Sequence, residues 1–129
     1  MNSIGAVWES YTPTLTQSVT VTKTINSARY ARIQKIVTCD ILLTCTSAGT
    51  AANGVVVGLP IAASGTQRLV GTGFIYDAST AIVYNVSAIT ASSTTVQFFY
   101  QTATGWGFSP NIALALNDQI RILFTYEAA

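Results

Sequence analysis

The feature that most constrains this chain is an alternation of apolar and polar residues with a period of two. In "VTCDILLTC", residues 37–45, every second residue from Val37 onward is apolar. In "DQIRILFTYE", residues 118–127, the same spacing aligns Ile120, Ile122, Phe124 and Tyr126. Successive side chains of a strand point to opposite faces, so each segment predicts a strand that is buried on one face. No segment keeps a helical period over three turns, and the sequence therefore predicts an all-β fold.

Turn signals divide the chain into strands spaced by roughly ten residues. They are the pair Gln34 and Lys35, the polar loop 47–54, the segments 77–80 and 91–93, and the long loop 101–111. "INSAR", residues 25–29, likewise separates a strand at 18–25 from one at 28–33. We expect a single antiparallel β-sandwich, jelly-roll-like, with about eight strands. This domain covers residues 18–129, and an extended N-terminal arm or first strand covers residues 1–17.

The composition points to a chain whose surface is covered by partner proteins. Half of the residues are hydrophobic and only 9% are charged, whereas charged residues make up about a quarter of an ordinary soluble domain. The longest apolar stretch, residues 54–63, is interrupted by Pro60 and is far shorter than the ~20 residues of a membrane-spanning helix. The net charge of +1 supplies no strong attraction to nucleic acid or acidic lipid. We therefore expect no membrane insertion and no nucleic-acid binding.

The residues that enzymes use most often for catalysis are sparse. The chain has no histidine, which is the commonest general base and metal ligand. Its five acidic residues are separated in sequence, and Asp77 and Asp118 lie in segments typical of turns. A glycosidase-like pair of carboxylates, brought together by folding, stays open as an alternative. We expect no enzymatic activity, no catalytic residue, no bound metal and no cofactor.

The two cysteines predict buried free thiols. Cys39 and Cys45 are six positions apart on one predicted strand, which separates them by ~20 Å at about 3.3 Å per residue. A disulfide requires Cα atoms within about 7 Å of each other. The pair should therefore stay reduced and pack in the core, as in a chain made in a reducing compartment.

The long loop contains "GWGFSP", residues 105–110, which places Trp106 and Phe108 among glycines. Exposed aromatic side chains are the usual platform for sugars and for protein contacts. In the alternative interpretation, the tryptophan folds back and caps one end of the domain. Both interpretations stay open, and Trp106 and Phe108 are candidate exposed contacts.

The N-terminal segment "WESYTPTLT", residues 8–16, places two large aromatic residues and a proline near the end of the chain. Pro13 fixes its own φ angle and favours an extended conformation at the residue before it. In a polyproline-like conformation Trp8, Tyr11 and Thr14 recur every three residues and share one face. The segment is either a first strand that closes its own domain or an arm that packs on a neighbouring subunit. We assign Trp8, Tyr11 and Pro13 as candidate partner contacts of this arm.

The same segment resembles the W-x-x-Y-T-P-T opening of small β-sandwich domains in structural proteins of tailed bacteriophages. Four further segments resemble the same family in the same order. They are "ARYARIQKIVTCDILLT" (its basic hairpin), "VVVGLP" (its short strand ending in Leu-Pro), "GTGFIYDAST" (its glycine-led strand and turn) and "LALNDQIRILFTYEA" (its closing strand). The family's usual Gly-Lys turn is Gln34-Lys35 here. The resemblance covers nearly the whole chain.

The resemblance implies a non-enzymatic virion component, typically a trimer. We expect a homotrimeric capsid decoration, or cement, protein that binds the major capsid protein on the outer surface of the head. Such a protein is made in the cytoplasm of the bacterial host. The alternative is a tail-fibre or tail-tip domain that recognises a polysaccharide or protein of the host surface. In that alternative, Trp106 and Phe108 are the expected contacts.

Overall fold

The computed structural model describes residues 7–66 and 68–129 and confirms an all-β, antiparallel fold. The strands are β1 (Glu9–Ser10), β2 (Leu15–Gln17), β3 (Val19–Thr20), β4 (Lys23–Ile33), β5 (Ile36–Cys45), β6 (Val56–Gly58), β7 (Leu69–Asp77), β8 (Ile82–Ser92), β9 (Thr95–Phe99) and β10 (Gln119–Glu127). The described residues thus contain ten strands, and the prediction of about eight was wrong in number. The additional strands are very short and lie in the arm and in the segments before residue 59. Within the same residues, no helix is long and apolar enough to cross a membrane.

All ten strands belong to one continuous sheet, in the order β1-β4-β5-β10-β7-β8-β9-β6-β2-β3. The sheet curls into a half-barrel, and the predicted jelly-roll-like sandwich is not confirmed. The continuity depends on β10, which pairs with β5 along its whole length and with β7 from Gln119 to Phe124. Alternation along a strand shows which face of the strand is buried. It does not show whether the strands that cover that face belong to a second sheet or to the same curled sheet.

The predicted break at "INSAR" was wrong, because β4 runs through it without ending. The pairing of β4 with β5 shifts register between Ile25 and Ser27, so Asn26 is the extra residue of a β-bulge. A bulge bends its strand and increases its twist without ending the pairing. The Gln34–Lys35 turn was predicted correctly, since β4 ends at Ile33 and β5 begins at Ile36.

The core lies on the concave face of the curled sheet. It is formed by the alternating residues of β5 and β10 together with others from the opposite wall, including Val37, Ile41, Leu43, Val57, Ile75, Val96, Phe98, Ile120, Ile122 and Phe124. Cys39 and Cys45 are fully buried and unbridged, as predicted. Burial raises the pKa of each thiol to about 12, so both stay protonated at neutral pH.

The N-terminal arm joins the two ends of this sheet. β1 pairs with β4 near one end of the strand order, and β2 pairs with β6 near the other. Between them the Tyr11 hydroxyl donates to the Gly58 carbonyl at 3.2 Å, and the Tyr11 ring meets the Tyr30 ring edge-on at 5.8 Å. Pro13 is buried in the same crossing. The arm is therefore the connection that holds the half-barrel closed along this side.

The side chain of Gln17, at the end of the arm, is a polar hub inside the fold. It is fully buried, and its Nε2 donates to the carbonyls of Asn53 at 3.1 Å and Ile112 at 2.8 Å. Its Oε1 accepts from the backbone N–H of Leu114 at 2.7 Å. One side chain thus satisfies three backbone groups from two loops that are distant in sequence, which offsets the cost of burying an amide.

Replacing Gln17 by alanine leaves those three backbone groups without partners. Each of the three groups that loses its partner costs roughly 1–3 kcal/mol, so we expect Gln17→Ala to lower the free energy of unfolding by at least about 3 kcal/mol. Urea unfolding followed by tryptophan fluorescence measures this change. Gln119→Ala is the matched control, because Gln119 is also in a strand but is partly exposed. We expect it to cost under about 0.5 kcal/mol, and equal losses in the two variants would contradict the role of Gln17.

Candidate interaction site

The convex side of strands β4, β5, β10 and β7 forms a continuous surface, which we call the outer face. Its residues alternate with the core residues along each strand. They are Arg29 and Ala31 of β4; Ile36, Thr38, Asp40 and Leu42 of β5; Arg121, Leu123, Thr125 and Glu127 of β10; and Thr72 and Phe74 of β7. The strand pairings place these side chains in rows across the sheet, and one row runs through Arg29, Asp40, Leu123 and Thr72.

An ion-pair cluster lies in the middle of the outer face. Asp40 is only 8% exposed, because two arginines cover it. Nη2 of Arg29 lies 3.1 Å from Oδ2 of Asp40, and Nη2 of Arg121 lies 3.2 Å from Oδ1. The arginine side chains are still 45% and 42% exposed. Arg29 donates hydrogen bonds to Oδ2 through Nε and Nη2, whereas Arg121 is held near Oδ1 by charge without hydrogen-bond geometry. The cluster therefore holds two guanidinium groups at the surface and has one positive charge in excess.

Trp8 of the arm extends this cluster at the edge of the sheet. The Cζ atom of Arg29 lies 4.3 Å from the centre of the Trp8 ring, which is a cation–π contact. Trp8 is nevertheless 47% exposed. Of the three candidate arm contacts, Tyr11 and Pro13 thus pack against their own sheet, whereas Trp8 is accessible on the outer face. The assignment of these three residues as contacts with a neighbouring subunit stays a prediction.

The outer face also carries exposed apolar side chains. Leu123 is 57% exposed and Ile36 is 52% exposed, and Leu42 and Phe74 are partly exposed on either side of Arg121. An antiparallel sheet that faces water on one side normally has polar residues there. Leucine, isoleucine and phenylalanine next to arginine are instead typical of a surface that another protein covers.

The two aromatic residues of the loop 101–111 differ in their exposure to solvent. Trp106 is fully buried, where its ring meets that of Tyr84 edge-on at 5.7 Å. Its side chain therefore lies inside the fold and is not exposed, as in the interpretation in which the tryptophan folds back. Phe108 is 48% exposed. The glycine beside it is explained by this packing, because a Cβ on Gly107 would collide with the Asn53 carbonyl. Glycine here permits close packing that takes the tryptophan inside.

The acidic residues act mainly in turns and ion pairs. Asp77 accepts from the N–H and hydroxyl of Ser79, which lowers the pKa of its carboxyl. Asp118 accepts from the N–H groups of Ala78 and Ala115, but burial is the larger effect and raises its pKa. Both lie next to turns, Asp77 at the end of β7 and Asp118 just before β10. Across residues 7–66 and 68–129, no group of three or more histidine, cysteine or acidic side chains could hold a metal ion.

A cleft of about 200 Å³ lies beside the Glu127 end of the outer face. Its lining combines apolar residues such as Ala63 and Val70 with polar ones, which are Ser64, Arg68, Thr90, Thr125 and Glu127. The Ser64 hydroxyl donates to Oε1 of Glu127 at 2.9 Å. This pairing of an arginine and a glutamate with hydroxyls offers hydrogen-bond donors and acceptors to a small polar ligand.

Sequence reasoning did not find the cluster of Arg29, Asp40 and Arg121. Asp40 stands at an outward position of an apolar strand, which is a visible signal that it needs a partner. The partners themselves depend on pairing between β5 and strands before and after it. That pairing is not encoded in any one segment of the sequence.

Replacing Asp40 by asparagine leaves two arginines side by side without a counter-charge. Hydrogen bonds to charged groups contribute roughly 1.5–3 kcal/mol, so we expect Asp40→Asn to lower the free energy of unfolding by that amount. Adding Arg121→Leu should recover part of the loss by removing the excess charge. Thr72→Val, at an exposed position in the same row, serves as the control. Chemical denaturation measures all three, and an Asp40→Asn protein as stable as Thr72→Val would refute the role of the cluster.

Comparison with known protein families, with curated proteins and with solved structures gives no match for this chain. What the chain does is therefore inferred from its own residues and surfaces, chiefly the outer face.

Proposed function

We propose that this chain is a non-enzymatic structural protein of a tailed-bacteriophage virion, and that it is a homotrimeric capsid decoration, or cement, protein. The proposal rests on the contact between the arm and the outer face. The segment that resembles the phage domains is built into the sheet and presents Trp8 beside the Arg29 guanidinium. Exposed apolar side chains continue from there across a chain with only 9% charged residues. Such a surface suits burial against other proteins.

In this proposal the chain stabilises the assembled head by mass action. A protein that binds the assembled shell but not free capsid subunits lowers the free energy of the shell. A ring of three copies then multiplies modest contacts with the major capsid protein into strong attachment. The half-barrel suits this role, because its contact residues are already ordered and lose little conformational entropy on binding. Two buried free thiols, Cys39 and Cys45, are consistent with synthesis in the bacterial cytoplasm before the protein joins the outer surface of the virion.

The jelly-roll-like sandwich of the phage domains is the finer description of the fold that we propose for this chain. The curled sheet supports it, because the walls on either side of the core face each other as two layers of a sandwich do. An experimentally determined structure of this chain tests this description, because a sandwich requires two separate layers of strands.

A second candidate function is a tail-fibre or tail-tip domain that recognises the host surface. Two observations favour it. Phe108 is 48% exposed on the loop 101–111, and an exposed aromatic ring can stack on a sugar. The polar cleft lined by Ser64, Arg68 and Glu127 supplies hydrogen-bonding groups of the kind that polysaccharides need.

Cryo-electron microscopy of intact particles distinguishes the two functions by position and copy number. A decoration protein occupies many equivalent sites around three-fold or quasi-three-fold positions of the head. A tail-tip domain occupies a few sites at the end of the tail. Density for this chain on the head supports the cement proposal, and density confined to the tail overturns it in favour of the second candidate.

Two aromatic residues of equal exposure provide a matched pair of variants. Trp8 is 47% exposed and Phe108 is 48% exposed, so neither alanine variant should lose much core packing. For a cement protein we expect Trp8→Ala to weaken binding to shells that lack this protein by ~30-fold, the effect of losing a hot-spot side chain of about 2 kcal/mol. Phe108→Ala should leave that binding unchanged. Co-sedimentation with purified shells measures both.

The opposite pattern would contradict the cement assignment. If Phe108→Ala reduces adsorption to host cells while Trp8→Ala has no effect on shell binding, the receptor-binding function is supported instead. Thermal unfolding of both variants checks that each remains folded. Truncating residues 1–16 is not a suitable test, because those residues include β1 and part of β2.

A further inference from the structure

We propose that the outer face is a surface through which two copies of this chain bind each other back to back. This goes beyond the ring of three copies proposed above, because it names a different contact with a different symmetry. It rests on the order of charged and apolar side chains along β10 and β5.

The outward residues of β10 carry opposite charges at the two ends of the strand. Arg121 and Glu127 are six positions apart on the same face, a distance of ~20 Å along a strand. The Arg121 side chain is 42% exposed, and Glu127 is exposed. The Ser64 hydroxyl donates to Oε1 of Glu127, and an exposed carboxylate can accept a further hydrogen bond from outside.

A two-fold axis exchanges these two ends. The axis lies between two stacked sheets, runs perpendicular to the strands and crosses β10 at Phe124, midway between Arg121 and Glu127. It places Arg121 of one copy opposite Glu127 of the other, and Leu123 opposite Thr125. The contact therefore contains the same ion pair twice, as an isologous contact requires.

The same axis also matches the neighbouring strands. In the pairing of β5 with β10, Ile36 is level with Glu127 and Leu42 is level with Arg121. The rotation therefore places Ile36 of one copy opposite Leu42 of the other, which buries two of the apolar side chains of this face against each other.

No like charges meet in this arrangement. Asp40 is paired with Thr38 of the second copy, and Arg29 is paired with Ala31, because these residues are level with Leu123 and Thr125 respectively. Two antiparallel sheets stack at about 10 Å with their strands roughly aligned, which suits side chains of this size. About this axis the charged and apolar residues of the outer face are complementary to those of a second copy of the same chain.

The first test places a charge at the centre of the contact. Leu123→Lys introduces two lysines near the axis, but the substitution suits the monomer because Leu123 is level with Asp40. Leu116→Lys is the control, since Leu116 is similarly exposed at 61% in the loop before β10. Light scattering coupled to size exclusion measures the mass of the full chain. We expect Leu123→Lys to raise the dissociation constant of the pair by at least ~tenfold and Leu116→Lys to leave it unchanged.

The second test changes the charge at Glu127. Glu127→Arg sets the new guanidinium of one copy against Arg121 of the other and should weaken the pair by ~tenfold, whereas Glu127→Gln, which adds no like charge, should weaken it less. Circular dichroism checks that the variants are folded. A pair that Glu127→Arg leaves unchanged would contradict the contact.

The mass of the unmodified chain separates this inference from the proposed ring. A dimer supports the face contact without the ring. A hexamer that Leu123→Lys reduces to a trimer supports both the face contact and the ring. Three copies support the ring and overturn the face contact. A single copy at ~100 μM, where a specific pair with a micromolar dissociation constant would be formed, overturns the face contact. An even-numbered assembly that Leu123→Lys leaves intact also overturns it, as does a foreign protein found to be the sole occupant of this face.

Discussion

The apolar face of this sheet is buried because the sheet curls around it, and the rest of the structure depends on that closure. Gly71 and Gly73 lie on β7 where it approaches β10 most closely, and a Cβ on either would collide with the β10 backbone. Glycine at these two positions permits the approach. Bulges in β4, β7 and β8 add local bending. The arm then links the strands at the two ends, because the chain passes directly from β1 to β2.

Closure explains why a polar side chain occupies the interior at Gln17. The two loops that meet the end of the arm have backbone groups that face inward and have no strand partner. A buried amide can both donate and accept, so one glutamine satisfies groups of both kinds. Gly49 and Gly107 pack against the same side chain, where a Cβ would collide with it. The hub therefore fixes the arm and the two loops together.

The sequence predicted the parts of the fold that depend on local pattern. The strands at Ile36–Cys45 and Gln119–Glu127, the turn at Gln34–Lys35 and the reduced cysteines all follow from alternation or spacing within one segment. The bulge at Asn26 was misread as a turn, because asparagine and serine are common in both. Trp106 and the Asp40 cluster depend on contacts between distant segments, which a single sequence does not reveal.

The closed interior leaves the convex side of the sheet free for interaction. Apolar residues in place of the whole ion-pair cluster could stabilise the fold as well as the cluster does, since a buried ion pair is often no more stabilising than a hydrophobic replacement. Asp40 does hold the Arg29 and Arg121 guanidinium groups in fixed positions next to Leu123. Groups that are already ordered lose less conformational entropy when a partner binds. In the function proposed for this chain, the ordered guanidinium groups prepare the outer face for a partner.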